Sequence, residues 1–306
     1  MKPTVTIISI ADLPSRKAGI GREGGMRSKP FPLESGVEGV GMEFSWAFYD
    51  KGYGTPRHKH TFDQFRFALE GDREIKDGYV KAGDCGFYPE GVSYGPQMQE
   101  APCIGLTFQF QGASGLPYLR HRDLHRAQDE LEAAGGVFEH GVYRRVLPDG
   151  KVITKDSHAA CVEHLTGQKI EFPKPRFSST IVMHAENAQW IPDRNLPGVE
   201  HKYLGTFGVR RSGARYTRIL PGAVIPARVE EDAEIRYLVE GSITYDGKTW
   251  IGGKSEDRGT YMWIQAGAEV GEIGSVDGGT FWVIELPVLA DILAERALPL
   301  EEALSH

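Results

Sequence analysis

The segment His58-Lys59-His60-Thr61-Phe62-Asp63-Gln64, closed by Gly71, carries the residue types and spacing best suited to chemistry in this chain. In an extended strand, alternate side chains share one face. His58, His60 and Gln64 therefore point the same way, and two imidazoles with one amide oxygen make half a cage for a divalent metal. Arg66 lies on that same face, one step beyond Gln64. Two readings of it stay open: an inward guanidinium that grips a substrate carboxylate, or a structural partner for Glu70. Asp63 adjoins Gln64 but falls on the opposite face, so only a bulge would bring it to the ligand side.

These residues need a sheet to hold them, and the surrounding text supplies one. From Gly41 to about Gln111 the chain reads as strands and turns. Met42 to Phe48 alternates apolar with small or polar residues. Phe65, Phe67 and Leu69 share the face opposite Gln64, Arg66 and Ala68. Leu106 to Gln111 alternates cleanly and sets Thr107, Gln109 and Gln111 together. Gln109 and Gln111 either line the pocket or face solvent. Turn signals fall at Gly52-Tyr53-Gly54, Gly71-Asp72, Asp77-Gly78 and Gly83-Asp84. The segment Arg122 to Ala134 is rich in helix formers and stops at Gly135-Gly136. From there to about Pro175 short strands or loops are expected. Strand-and-turn text returns from Arg215 to Leu286, and a short C-terminal helix is predicted over Leu289 to Leu298, ended before Pro299.

Composition narrows the class. The 306 residues leave room for two domains, and 40% apolar content is enough for real cores. The 38 glycines and 18 prolines suit many short strands joined by tight turns. A net charge of -7 without a Lys/Arg run argues against nucleic acid as a partner. Cys85, Cys103 and Cys161 form no CxxC, which excludes a zinc ribbon or redox dithiol and reads as reduced and intracellular. No apolar run approaches the roughly 20 residues of a membrane span. The expectation is a cytoplasmic protein with no membrane partner. Gly19-Ile20-Gly21-Arg22-Glu23-Gly24 fits G-x-G-x-x-G in letters, but Pro30 and Pro32 leave little room for the helix that a dinucleotide site requires, so it is read as a loop.

An internal repeat sets the architecture. Pro56 to Gly71 aligns with Pro226 to Gly241 without a gap, at a shift of 170 residues. Pro56, Arg66, Glu70 and Gly71 are identical to Pro226, Arg236, Glu240 and Gly241, and Gln64 stands opposite Glu234. Gly83 to Gly91 then aligns with Gly259 to Gly267 at a shift of 176.

These residues resemble the cupin superfamily, whose first motif is G-x5-H-x-H-x3,4-E-x6-G and whose second is G-x5-P-x-G-x2-H-x3-N. Gly52, His58, His60, Gln64 and Gly71 match the first, with Gln for Glu. Gly83, Pro89 and Gly91 match the second, with Tyr94 where the His would stand. The second copy places Arg228, Glu230, Glu234 and Val270 at the four ligand positions, which leaves its metal site degenerate. The resemblance covers roughly 40–120 and 200–290. It implies an all-β bicupin: two antiparallel jelly-roll barrels, a short helical connector and a short C-terminal helix. The expected domains are 1–120, 121–175 and 176–306.

The resemblance further implies a divalent metal (Fe, Mn, Ni or Zn) on His58, His60 and Gln64. Tyr94, whose free pKa is near 10, is expected to hydrogen-bond in the pocket rather than ligate. Tyr94 and Arg66 are the candidate catalytic residues, and Arg66, Gln109 and Tyr94 the candidates for binding substrate. The first functional expectation is a metal-dependent enzyme acting on a small oxygenated or carboxylated molecule, of dioxygenase type. A non-redox isomerase or lyase, or a non-catalytic ligand-binding cupin, stands as the alternative. His121, His125, His140, His158, His164, His184 and His201 show no interpretable spacing and are read as surface or structural. The apolar strand Val5 to Ile10 is a candidate for exchange in a homodimer, or for pairing within its own chain.

Overall fold

The computed structural model describes residues 2–18, 24–37, 40–75, 78–112, 114–116, 118–208, 210–289 and 291. It is mostly β, and the chain divides into two compact units. One comprises Ser15–Pro32 and Val40–Val182; the other comprises Met1–Pro14, Leu33–Gly39 and Met183–His306. The expected domains 1–120, 121–175 and 176–306 placed cuts at 120/121 and 175/176; the observed cuts fall at 14/15, 32/33, 39/40 and 182/183. The connector groups with the first jelly roll because its helices line that roll's cavity. The N-terminal strand Val5–Ser9 groups with the second because it pairs antiparallel with Thr260–Ile264, Val5 opposite Ile264. Of the two uses foreseen for that strand, pairing within its own chain is the one seen.

In the unit built on Val40–Val182, the sheet runs Cys85–Tyr88, Phe62–Glu70, Cys103–Gln111, Met42–Tyr49, Met26–Pro30, Arg16–Lys17, with antiparallel neighbours. Its aromatic content explains the core. Phe44, Trp46, Phe65, Phe87, Phe108 and Phe110 are all almost fully buried, each contributing roughly 2–3 kcal/mol of apolar burial. Phe62–Glu70 is buried along nearly its whole length, Gln64 and Arg66 included. A strand that buries its polar face as well as its apolar one must satisfy those polar groups locally. How it does so defines the site described below.

The other unit repeats this plan. Its sheet runs Val5–Ser9, Thr260–Ile264, Ala233–Tyr245, Gly279–Leu286, Ser212–Ile219, Val199–Phe207, Ile191–Pro192. The five strands from Thr260–Ile264 to Val199–Phe207 take the same order as Cys85–Tyr88 to Met26–Pro30. Registers match too. Gln64 lies opposite Tyr88 and Gln109, as Glu234 lies opposite Ile264 and Glu285. His58 bridges Tyr94, as Arg228 pairs with Val270. Gly71 and Gly241 share φ values of +70° and +74°. A Cβ there would meet a carbonyl oxygen at 2.6 Å and 2.1 Å respectively, so both turns demand glycine. The repeat legible in the letters is a repeat of backbone. A core of Val199, Ile219, Leu238, Ile243, Met262, Ile264, Phe281 and Val283 fills this second roll.

The connector holds helix α1 (His121–Ala133), a three-stranded antiparallel sheet of Gly136–Glu139, Val142–Val146 and Val152–Asp156, and helix α2 (Ser157–Thr166). Helix α1 agrees with the reading of Arg122 to Ala134 within a residue at each end. Helix α2 is not among the expected elements. Its start is fixed by Asp156, whose carboxylate accepts from the Ala159 N–H at 3.1 Å, and its end by Gly167 in the left-handed region at φ +65°. The predicted C-terminal helix lies outside the described residues apart from Leu289 and Asp291, as does the Gly19 to Glu23 part of the glycine-rich segment.

Candidate functional site

One cavity of about 160 Å³ opens in the Val40–Val182 unit, with room for a small molecule. His58, His60, Gln64 and Arg66 line it on the face the strand periodicity predicts, and of the two readings left open for Gln109 the structure takes the one in which it lines the cavity. Tyr94 does not. It is buried behind Arg66 and serves that side chain rather than the cavity. Asp63 stays off the ligand face, its carboxylate accepting from the Glu90 N–H at 2.7 Å. Gln111 is occupied elsewhere, between the Gly41 N–H and the Leu116 carbonyl.

The geometry centres on Arg66. Its Nε donates to Gln64 Oε1 at 2.9 Å and its Nη2 donates to the Tyr94 hydroxyl at 2.8 Å. The same hydroxyl accepts from Gln64 Nε2 at 3.3 Å. The guanidinium lies 4.3 Å from the Tyr88 ring centroid and 5.0 Å from that of Tyr94. Among the described residues no carboxylate pairs with it; Glu70, the alternative partner, is exposed. Arg73 lines the same cavity, over the Tyr49 ring at 4.1 Å, and its Nε has no hydrogen-bond partner among the described residues. Arg66 and Arg73 are only 9% and 8% exposed. Arginine does not deprotonate in proteins, so the cavity holds two buried positive charges.

Facing them is a wall of rings. His58 and His60 lie 4.9 Å apart centroid to centroid, and His60 stacks on Phe62 at 4.6 Å. His58 Nδ1 sits 2.7 Å from the Pro56 carbonyl oxygen. A carbonyl only accepts, so Nδ1 carries the proton and Nε2 keeps the lone pair in the neutral ring.

Two histidines of the connector complete the wall. His158, on the first turn of α2, lies 4.9 Å from His60 and 5.6 Å from Phe62. His121 opens α1, with its backbone N–H donating to Glu43 at 3.3 Å. Burial, then His125 and Arg16, lower the His121 pKa to about 4, so its ring is neutral at pH 7. Burial raises the Glu43 carboxyl against the partial relief of that N–H, Arg16 and Arg120. Cys161 also lines the cavity; burial raises its thiol to about 12, which keeps it protonated and unreactive. The expectation that His121 and His158 are surface or structural is therefore corrected: both line the cavity. The signal for His158 was the Asp156 cap and Gly167, which together mark a helix. His201 belongs to the other unit, between Asp193 Oδ2 at 2.9 Å and Thr217 Oγ1 at 3.0 Å.

The ligand set His58, His60 and Gln64 does not suit a divalent cation as it stands. Gln64 Oε1 already accepts from a guanidinium. An ion on that oxygen, at roughly 2.1 Å, would sit within about 5 Å of Arg66 Nε. At an effective dielectric of 20, that repulsion is on the order of 6 kcal/mol; the one carboxylate lining the cavity among the described residues, Glu43, is raised by burial and accepts from the His121 N–H. Among those residues, no three of His, Cys, Asp and Glu converge closely enough to hold a metal ion. No helix among them is long and apolar enough to cross a membrane.

No family model matches the sequence, and no curated protein resembles it in sequence. Solved structures do resemble the fold. A Nostoc punctiforme protein provisionally named a dioxygenase superposes with a TM-score of 0.63 at 12% identity, over 95% of this chain and 85% of its own. HEPD from Streptomyces albus, with 2-hydroxyethylphosphonate and Fe(II) bound, gives 0.55 at 11% identity over 96% and 79%. A point mutant of the Bacillus subtilis oxalate decarboxylase gives 0.52 at 14% identity over 98% and 83%. At such identities the likeness establishes the fold.

Proposed function

The chain carries the two-domain cupin fold, and from that premise we propose that it is an enzyme acting on a small carboxylated molecule held in the cavity of the Val40–Val182 unit. The observation that carries this reading is the pair Arg66 and Arg73: two buried guanidiniums on one small cavity, with no carboxylate among the described residues paired to either. Burying an uncompensated charge costs several kcal/mol. A bound anion repays that cost, and arginine is the cation best shaped for carboxylate. Two of the structural neighbours are named for small anions, 2-hydroxyethylphosphonate and oxalate.

The chemistry falls to the imidazole wall. With the carboxylate on the arginines, the rest of the molecule lies along His58 and His60. His58 Nε2, its lone pair fixed by the Pro56 contact, is oriented to accept a proton. The His58 imidazolium so formed can return that proton to another atom of the same substrate, which suits a non-redox isomerisation or elimination. Phe62 and the connector helices line the cavity beside these rings.

A second reading, metal-dependent oxidation of the dioxygenase type, is supported by the Nostoc and Streptomyces neighbours. The test of the main reading is a binding and turnover screen with small mono- and dicarboxylates. Calorimetry is expected to find ligands with Kd below about 1 mM. Arg66→Met and Arg73→Met should each weaken them at least tenfold. His58→Ala should keep binding and lose turnover, followed by NMR of the product. A protein that binds no small carboxylate sinks the proposal.

A further inference from the structure

We infer that in this chain the Arg66 guanidinium takes over the part of the cation, so that carboxylate binding requires no metal. The inference rests on the proposal that the cavity is a carboxylate site. In the two motifs, Gln64 and Tyr94 occupy the third and fourth ligand positions. Both spend their oxygens on Arg66, at 2.9 Å and 2.8 Å, and Gln64 closes the triangle through its amide N–H to Tyr94. Gln64 and Tyr94 are thus positioning residues: they hold a fixed cation where a mobile one would bind. Gln rather than Glu at position 64 matters twice. It anchors the guanidinium through a neutral oxygen, and it leaves the positive charge available to a ligand. The Tyr88 and Tyr94 rings, 4.3 Å and 5.0 Å from the guanidinium carbon, contact it without neutralising it.

The protein's own repeat supplies the control. Glu234 stands where Gln64 stands, and there Arg236 is bound to its carboxylate at 2.6 Å. Gln64→Glu would copy that pairing into the first roll, with little change in volume.

The experiment titrates oxalate, malonate and acetate by calorimetry into chelator-treated protein, and again with one equivalent of added Mn²⁺, Fe²⁺ or Zn²⁺. Metal content is counted by mass spectrometry. The expected result is a probe affinity that metal changes less than twofold. Gln64→Glu should lose at least tenfold in probe affinity with an undiminished melting temperature, and Tyr94→Phe should lose a smaller factor. Binding that appears only with stoichiometric metal, or a Gln64→Glu protein that gains both metal and probe affinity, overturns the inference while leaving the carboxylate site standing. If no probe binds under either condition, the carboxylate reading and this inference fail together.

Discussion

The two jelly rolls hold the same arginine at the same place in the same strand and put it to opposite uses. In the second roll Arg236 is bound by Glu234 and Glu230, Arg215 by Glu234 and Glu285, and Arg228 by Glu230. Three guanidiniums face three carboxylates, and the set is internally neutral. In the first roll the corresponding positions are Arg66, Gln64, His60, Ser45, Gln109 and His58. Every carboxylate of the network has become a neutral side chain, and only one of the three guanidiniums remains. The same backbone register yields a closed ionic network in one copy and a cavity with a surplus of positive charge in the other. Fold alone therefore does not locate function; the two copies differ in the charge count on one face of one strand.

The sharpest way to break the comparison is to remove each arginine in turn. Arg236→Met leaves the buried Glu234 and the half-buried Glu230 beside one fewer cation, and should cost about 3–5 kcal/mol of stability in urea denaturation with carboxylate binding in the first roll unchanged. Arg66→Met should do the reverse: binding falls by a factor of ten or more, and stability holds or rises because a buried unpaired charge is gone. Equal destabilisation by both substitutions would dissolve the distinction.

Acid should separate the rolls next. Glu234 is pushed up by burial but pulled down more by Arg236 and Arg215, to about 2. A depressed carboxylate stabilises above its unfolded value near 4.5, and that contribution is lost as the pH falls toward 2. His121, held near 4 against an unfolded value of 6.5, also stabilises the folded state when neutral. Its contribution is lost from about pH 6.5 down to 4. Glu43, raised by burial, works in the other direction as the pH climbs through its folded value. Hydrogen exchange read by mass spectrometry should show the His121–Ala133 helix loosening at a higher pH than Ala233–Tyr245. His121→Gln should abolish the earlier phase. Simultaneous loosening would show that the two networks do not titrate separately.

A smaller effect tests the wall supplied by the connector. Asp156→Ala removes the α2 cap, at a cost of about 1 kcal/mol, and loosens the turn that carries His158. A loss of two- to fivefold in turnover, with carboxylate affinity nearly kept, is the expected outcome. Asp156→Asn, which still caps, should restore it.

Strand periodicity and the repeat were enough to read the two rolls and the shared face of His58, His60, Gln64 and Arg66, while Gln109 stayed open between pocket and solvent. What the letters hid was the choice of partner. Nothing in the spacing says that Gln64 and Tyr94 turn their oxygens to Arg66 instead of toward a metal, because that depends on the χ angles of packed side chains. Arg73 sits past the Gly71 turn, outside the periodic stretch. His121 and His158 escaped because they stand on helices, where strand logic has no force. In α2 the apolar positions are small and the amphipathic signal weak, so the capping residues were the only guide.

The pairing of Val5–Ser9 with Thr260–Ile264 has a consequence for biosynthesis. Ribosomes add about 5–20 residues per second, so Val5–Ser9 waits roughly 13–50 seconds before its partner strand exists. All of Ser15–Val182 has been made well before then, so the roll built on Val40–Val182 can fold while Val5–Ser9 is still without its sheet. Val5, Ile7 and Ile8 spend that interval uncovered. A tag or fusion placed just ahead of Val5 thus sits on a segment with a long delay, and should affect yield and aggregation more than it affects the cavity.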